Sequence, residues 1–179
     1  MGASPCKTGR CGAMKHSEDL HIDREKYNKG YYIDKLEEGL QFQDVVTKAL
    51  YQRGIVVVGY ASRKYQRSQG ENMLGMEIKR DGLFRSTGNL YIETAEKAHP
   101  DNENFISSGI HRSDNSWLYV IGDEETIYIF PIKYLQMLES RYSDNRVIKP
   151  TSKGFLIPLG DAEKYCIRKI NLQILERGK

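Results

Sequence analysis

The strongest periodicity in the chain runs from Asp34 to Arg53, where Leu36, Leu40, Val46 and Leu50 recur at helical spacing. Asp34 with Glu37 three positions on has the form of a capping box, and Gly54 supplies the stop. The pattern predicts an amphipathic helix packed on a sheet. Ile55-Val56-Val57-Val58 follows directly as a β-branched run short enough for a buried strand, and the polar stretch from Arg63 to Gln69 reads as a loop. Two strands are then predicted, Met73 to Asp81 and Asn89 to Lys97, joined as a β-hairpin by a connection that contains Gly82 and Gly88. After a loop from Ala98 to about Asn115, Trp117 to Ile121 and Thr126 to Phe130 give another strand pair around Gly122-Asp123-Glu124-Glu125. Pro131 then opens a helix through about Arg141. Phe155 to Pro158 and Tyr165 to Ile170 are expected as late, peripheral strands. The order of elements is that of an α/β protein.

Length and composition sharpen this picture. A chain of 179 residues closes one sizeable core, so residues 33–179 are read as a single domain and residues 1–32, polar and without periodicity, as a flexible arm. Within that arm Cys6, Cys11, His16 and His21 are evenly spaced. Zinc sites pair their cysteines more closely, and the arm has little apolar material to fold around a metal, so coincidence is the preferred reading. Three cysteines fit free thiols in a reducing compartment, and nothing in the chain has the apolar length of a membrane helix or a secretory signal. The expected location is the cytoplasm, with no membrane partner.

Net charge is only +3, from 27 basic and 24 acidic residues, so the sum does not announce a nucleic-acid partner. The distribution is more informative. Arg63, Lys64 and Arg67, then Lys79, Arg80 and Arg85, flank one segment, where they could meet phosphates or simply form a solvated surface.

That segment carries the candidate chemistry. Strand alternation places Glu77, Lys79 and Asp81 on one face, with Met76 and Ile78 on the other. If Ile78 and Ile92 share the core face, Glu93 joins Glu77 and Lys79 opposite. Paired carboxylates hold Mg²⁺ through hard oxygen ligands while the ion keeps several waters, and a lysine beside them stabilises charge developing on phosphate oxygens. Glu71 is the candidate second carboxylate. The competing reading is a hairpin charged for solubility, whose Lys79 pairs across the strands with Glu93.

The run Gly70-Glu71-Asn72-Met73-Leu74-Gly75-Met76-Glu77-Ile78-Lys79 resembles the acid, spacer and Glu-x-Lys signature of the PD-(D/E)XK nuclease superfamily. A helix bearing Glu38 and Gln43, a hydrophobic strand and the motif hairpin follow the family's order. Glu-Ile-Lys-Arg-Asp, Thr87-Gly88-Asn89-Leu90-Tyr91-Ile92-Glu93, Ser108-Gly109-Ile110 and Trp117-Leu118-Tyr119-Val120 are similar to phage and prophage members. The resemblance covers about residues 34–142. It implies a restriction-endonuclease-like core, a helix and then a mixed sheet with a central motif hairpin flanked by helices. It also implies metal ligation by Glu71 and Glu77, a catalytic role for Lys79, help from Glu38 and Gln43, and accessory positions at Asp81, Asn89 and Glu93. Here the first acid is Glu rather than Asp and five residues separate it from Glu77, so Asp81 and Glu93 are the alternative second ligands.

The expected function is a Mg²⁺-dependent endonuclease acting on DNA, with Mn²⁺ substituting. The alternatives are a nuclease-like module that binds nucleic acid or protein without cutting, and an unrelated α/β binding protein. Cleavage of both strands of a duplex would call for a homodimer or two successive nicks. His99 and His111 are read as solvent-facing and Trp117 as core.

Overall fold

The computed structural model describes residues 29–172. The Cys6, Cys11, His16 and His21 spacing, and most of the arm, lie outside them.

The first helix, α1, spans Lys29–Tyr51. It begins before Asp34, which is therefore an interior position and not a cap. Phe42, Val46, Ala49 and Leu50 form its buried face, whereas Leu36 and Leu40 remain 44% and 46% exposed. The core stripe thus occupies only the second half of the helix. Its end matches the sequence reading: Gly54 takes a left-handed φ of 81° and the Ile55 N–H bonds back to the Leu50 carbonyl at 3.0 Å.

Residues 55–58 form no ladder, contrary to expectation. The chain instead runs out and back beside the next strand, touching itself through one bridge between Gly59 and Asn72. Between these points α2, Arg63–Gln69, replaces the expected loop, capped by the Ser62 hydroxyl accepting from the Tyr65 N–H at 3.1 Å.

Among the described residues eight strands follow in two four-stranded sheets. The first is ordered β1 (Met76–Arg80), β4 (Leu118–Gly122), β5 (Thr126–Pro131), β8 (Arg168–Asn171); the second is β3 (Ile106–Ser107), β2 (Asn89–Glu96), β7 (Ser152–Pro158), β6 (Arg146–Ile148). The motif hairpin is absent. β1 pairs in parallel with β4, while β2 pairs antiparallel with β7, so the two strands expected to be partners belong to different sheets. The short helix α3, Phe84–Thr87, sits where a tight turn was expected and carries the chain from one sheet to the other. Asp81 fixes this exit: its two oxygens accept from the N–H groups of Leu83, at 3.0 Å, and Tyr91, at 2.9 Å.

The β4–β5 hairpin forms as predicted, its turn held by Asp123 accepting from the N–H groups of Glu125 and Thr126. The helix α4, Ile132–Arg141, also follows as predicted. β7 is an interior strand of its sheet rather than a peripheral one, and α5, Leu159–Tyr165, precedes β8.

Alternation along β4 explains the layering. Leu118 and Val120 join Met76, Ile78, Ile127 and Ile129 beneath Phe42, Val46 and Leu50 of α1. Tyr119 and Ile121 point the other way, into a larger cluster with Leu90 and Ile92 of β2, Phe155 and Ile157 of β7, and Leu135 and Leu138 of α4. Ile78 and Ile92 therefore lie in different clusters, and the face-sharing assumed for the hairpin does not hold. Each fully buried large apolar side chain contributes about 1.5–3 kcal/mol, so both faces of the first sheet are firmly seated. Trp117, expected in the core, is 60% exposed; its indole N–H donates to the Leu74 carbonyl at 2.7 Å. Among the described residues no helix is long and apolar enough to cross a membrane.

Candidate active site

On β1 the positions facing α1 are apolar, so Glu77 and Lys79 take the opposite side. The Lys79 ammonium lies 2.9 Å from Glu77 Oε1 and 3.6 Å from Glu93 Oε1, so β2 reaches the motif although it is not its hairpin partner. Glu77 is completely buried, and among the described residues neither of its oxygens has a hydrogen-bond partner. Charge compensates it instead, from Lys79 on one side and from Arg112 Nη1, 3.5 Å from Oε2, on the other.

Glu71 arrives from the segment that returns along the free edge of β1. Asn72 pairs with that edge as a peptide would, accepting from the Met76 N–H and donating to the Met76 carbonyl. One residue earlier, Glu71 Oε2 accepts from the Ile78 N–H at 3.3 Å and from Gln43 Nε2 of α1 at 3.1 Å. The separation of five residues that looks short in sequence is thus enough, because the ligand-bearing segment runs beside the strand itself.

Burial, and next the negative charge of Glu77, push the Glu71 carboxyl up to about 7, against the pull of Lys79, the Ile78 N–H and Arg112. Burial alone would lower Lys79, but the carboxylates of Glu77 and Glu93 overcome it and hold the ammonium well above its ordinary value. Glu71 and Lys79 therefore line one cleft, with the Glu77 carboxylate buried against the lysine.

Ser108 donates to Glu93 Oε1 at 2.8 Å, and the fully buried Tyr119 hydroxyl accepts from the Glu93 N–H at 3.5 Å. Arg112 is itself held by Asp114 at 2.9 Å and donates to the Gln66 carbonyl. Part of this network lines a cleft of about 650 Å³ whose walls include Glu38, Gln43, Glu71, Lys79, Asp81 and Glu93; the fully buried Glu77 does not line it.

No family model, curated protein or solved structure matches the chain. Among the described residues no three His, Cys, Asp or Glu side chains are grouped to hold a metal. Glu71 and Glu77 are the hard-oxygen donors that would hold Mg²⁺, an ion usually bound through one or two carboxylates while it retains several waters; among the described residues the Glu77 oxygens accept no hydrogen bond, and the charges of Lys79 and Arg112 flank them.

The other expected residues divide. Glu38 stands at the mouth, pairing with Lys35 at 2.7 Å and Arg80 at 3.6 Å. Asp81 lines the cleft, but both its oxygens are engaged by backbone N–H groups, which favours Glu71 over Asp81 as the second ligand. Asn89 is apart from the cleft, its amide donating to the Thr87 carbonyl. Arg80 also binds Glu124, and Arg85 is bound to Asp123, Glu125 and the Thr126 hydroxyl, so Arg85 clamps the β4–β5 turn. Lys64 is exposed on α2, the helix that also carries Arg63 and Arg67. His111, read from the sequence as solvent-facing, lies 2.7 Å from Glu139.

Arg112, Asp114, Tyr119 and Lys149 were not legible as site residues. Tyr119 reads as core in an apolar strand, which it also is. The others sit in segments without periodicity; the fold brings Lys149 to the cleft, and Arg112, held by Asp114, to Glu77.

Proposed function

We propose that the chain is a metal-dependent endonuclease that hydrolyses DNA phosphodiester bonds, built on a restriction-endonuclease-like arrangement in which the motif strand pairs in parallel rather than as a hairpin. The observation that carries the reading is that Glu71 and Lys79, from two distinct segments, line one cleft, with the Glu77 carboxylate buried 2.9 Å from the Lys79 ammonium. Glu71 and Glu77 would hold Mg²⁺, or Mn²⁺ in its place. A bound ion supplies Lewis-acid polarisation of the phosphate and eases loss of a proton from the attacking water. The chain's own contribution is electrostatic. Lys79, kept protonated by two carboxylates, faces charge developing on the phosphate oxygens. Glu93, fixed by Ser108, holds the lysine in place, and Gln43 with the Ile78 N–H aims Glu71.

The reading is tested by incubating the chain with supercoiled plasmid, branched and single-stranded oligonucleotides in Mg²⁺, Mn²⁺ and EDTA. Cutting that requires the metal is expected; a folded protein that cuts none of them would sink the proposal. One observation favours the rival reading, a nuclease-like module that binds without cutting: Lys79 and Arg112 already flank both oxygens of Glu77. Calorimetric metal titration separates the two, since the rival predicts no Mg²⁺ or Mn²⁺ uptake.

Glu71 gives that titration a pH signature. Its pKa of about 7 in the folded chain exceeds its ordinary 4.5, so between these values the folded state binds more protons than the unfolded state. The group's contribution to metal-free stability is therefore fully present below 4.5 and is lost as pH rises through about 7. Metal must displace the same proton. Apparent Mn²⁺ affinity is expected to rise with pH up to about 7 and level off above, and Glu71→Gln is expected to remove both the metal uptake and this part of the stability slope.

A further inference from the structure

Four cations line the cleft, and three have carboxylate partners: Lys35 on Glu38, Lys79 on Glu77 and Glu93, Arg80 on Glu124 and Glu38. Lys149 differs. It lies on the turn between β6 and β7, partly covered by the cleft wall, and among the described residues no carboxylate approaches it within 4 Å. Its ammonium rests instead over the ring of Tyr91, 3.5 Å from the centroid.

The platform beneath it is built. The Tyr91 hydroxyl is 2.9 Å from the Ser152 hydroxyl, which fixes the tip of the ring. On the facing strand Gly154 leaves room for the ring: a Cβ there would lie 2.8 Å from Tyr91 Cε2 and 2.2 Å from the Ile92 carbonyl oxygen. Partial burial lowers Lys149, and only the fields of Asp81 and Glu93 oppose it, so an anion arriving beside it recovers solvation that the wall removes. Glu93 acts on both Lys79 and Lys149, which places the two lysines around the same carboxylate.

The rim adds a second requirement. Leu36, Leu40 and Leu83 line the same cleft while 44%, 46% and 65% exposed, apolar surface that water covers poorly and an unstacked base covers well. A cleft of about 650 Å³ has the size that takes a nucleotide or slightly more.

Resting on the nuclease reading for the chemistry, we propose that the cleft takes a single nucleic-acid strand, with Lys149 on its Tyr91 platform gripping a phosphate neighbouring the one presented to Lys79 and the leucine rim receiving the adjoining base. Lys149 is then a strand-positioning residue and not part of the metal centre.

The test measures fluorescence anisotropy of a short labelled oligothymidylate bound to the full chain, with Ca²⁺ in place of Mg²⁺, across a salt series. Lys149→Gln is expected to weaken binding about tenfold and to flatten the logarithmic salt dependence by about 0.7, and Lys149→Arg to restore both. Tyr91→Leu, which removes the platform and keeps the lysine, is expected to weaken binding less than Lys149→Gln. A duplex of the same length is expected to bind more weakly than the single strand. Unchanged affinity and salt slope in Lys149→Gln, no binding by the unaltered chain, or a duplex that binds more tightly would overturn the proposal. Lys149-dependent binding without cleavage would remove the nuclease reading alone; cleavage with a silent Lys149→Gln would remove this inference alone.

Discussion

Lys79→Met is expected to slow metal-dependent cleavage about 10²–10³-fold, the usual effect of losing one fixed donor of charge stabilisation, and to lower stability by about 3 kcal/mol. Two separate consequences are involved. The proposed reaction would lose the cation beside the phosphate. The fold loses the closer of the two cations that compensate Glu77, a fully buried carboxylate that then depends on Arg112 alone at 3.5 Å. Lys79 also draws Glu71 downward, so its removal is expected to push that carboxyl further up and weaken metal uptake at neutral pH. Lys79→Arg separates the effects, keeping the compensating charge while changing the shape of the donor. Single-turnover rates at saturating Mg²⁺, set beside urea unfolding of the same variants, measure each part; a normal rate in Lys79→Met would remove the lysine from the chemistry.

Gly109→Ala is the second large effect. Gly109 has a φ of +53°, and a Cβ there would lie 2.3 Å from the Glu93 carbonyl oxygen and 2.9 Å from its carbonyl carbon. The obstruction is backbone, which cannot swing aside as a side chain does, and the left-handed conformation adds its own penalty. A loss of about 3 kcal/mol is expected in urea unfolding. The functional consequence is more specific, because the displaced residue is the one that ties Lys79 to Ser108. The control is Gly160→Ala in α5, where nothing lies within 4 Å of the added Cβ. It is expected to be neutral or to stabilise by up to about 1 kcal/mol. Equal effects of the two substitutions would mean that Glu93 is not held as described.

The sequence made the charged face of β1 legible because Glu77-Ile78-Lys79 sits in a strand with strict alternation, and alternation assigns faces whichever partner the strand finds. It could not assign the partner. A two-glycine connection between two apolar runs looks like a hairpin turn, yet Asp81 captures the Leu83 and Tyr91 N–H groups and α3 redirects the chain into a second sheet. The run Ile55 to Val58 misled for a related reason: β-branched residues favour extended backbone, but the edge of β1 is occupied by Glu71 and Asn72. Leu36 and Leu40 had the right spacing for a core and lie instead at the cleft, since periodicity reports an apolar face without saying what covers it. Arg112, Asp114 and Lys149 are brought in by long-range contacts that carry no local pattern.

The most direct test of the central claim, that Glu71 and Glu77 make a metal centre that cuts DNA, is Mg²⁺-dependent cleavage by Glu77→Gln beside the unaltered chain. This substitution keeps the shape of the side chain, relieves the repulsion on Glu71, and leaves Lys79 paired with Glu93 and Arg112 with Asp114. Folding should therefore survive, as circular dichroism and thermal unfolding would record. The account predicts a folded variant that no longer cuts in Mg²⁺ or Mn²⁺ and takes up neither ion in calorimetry. A folded Glu77→Gln protein that cuts at the original rate would contradict it.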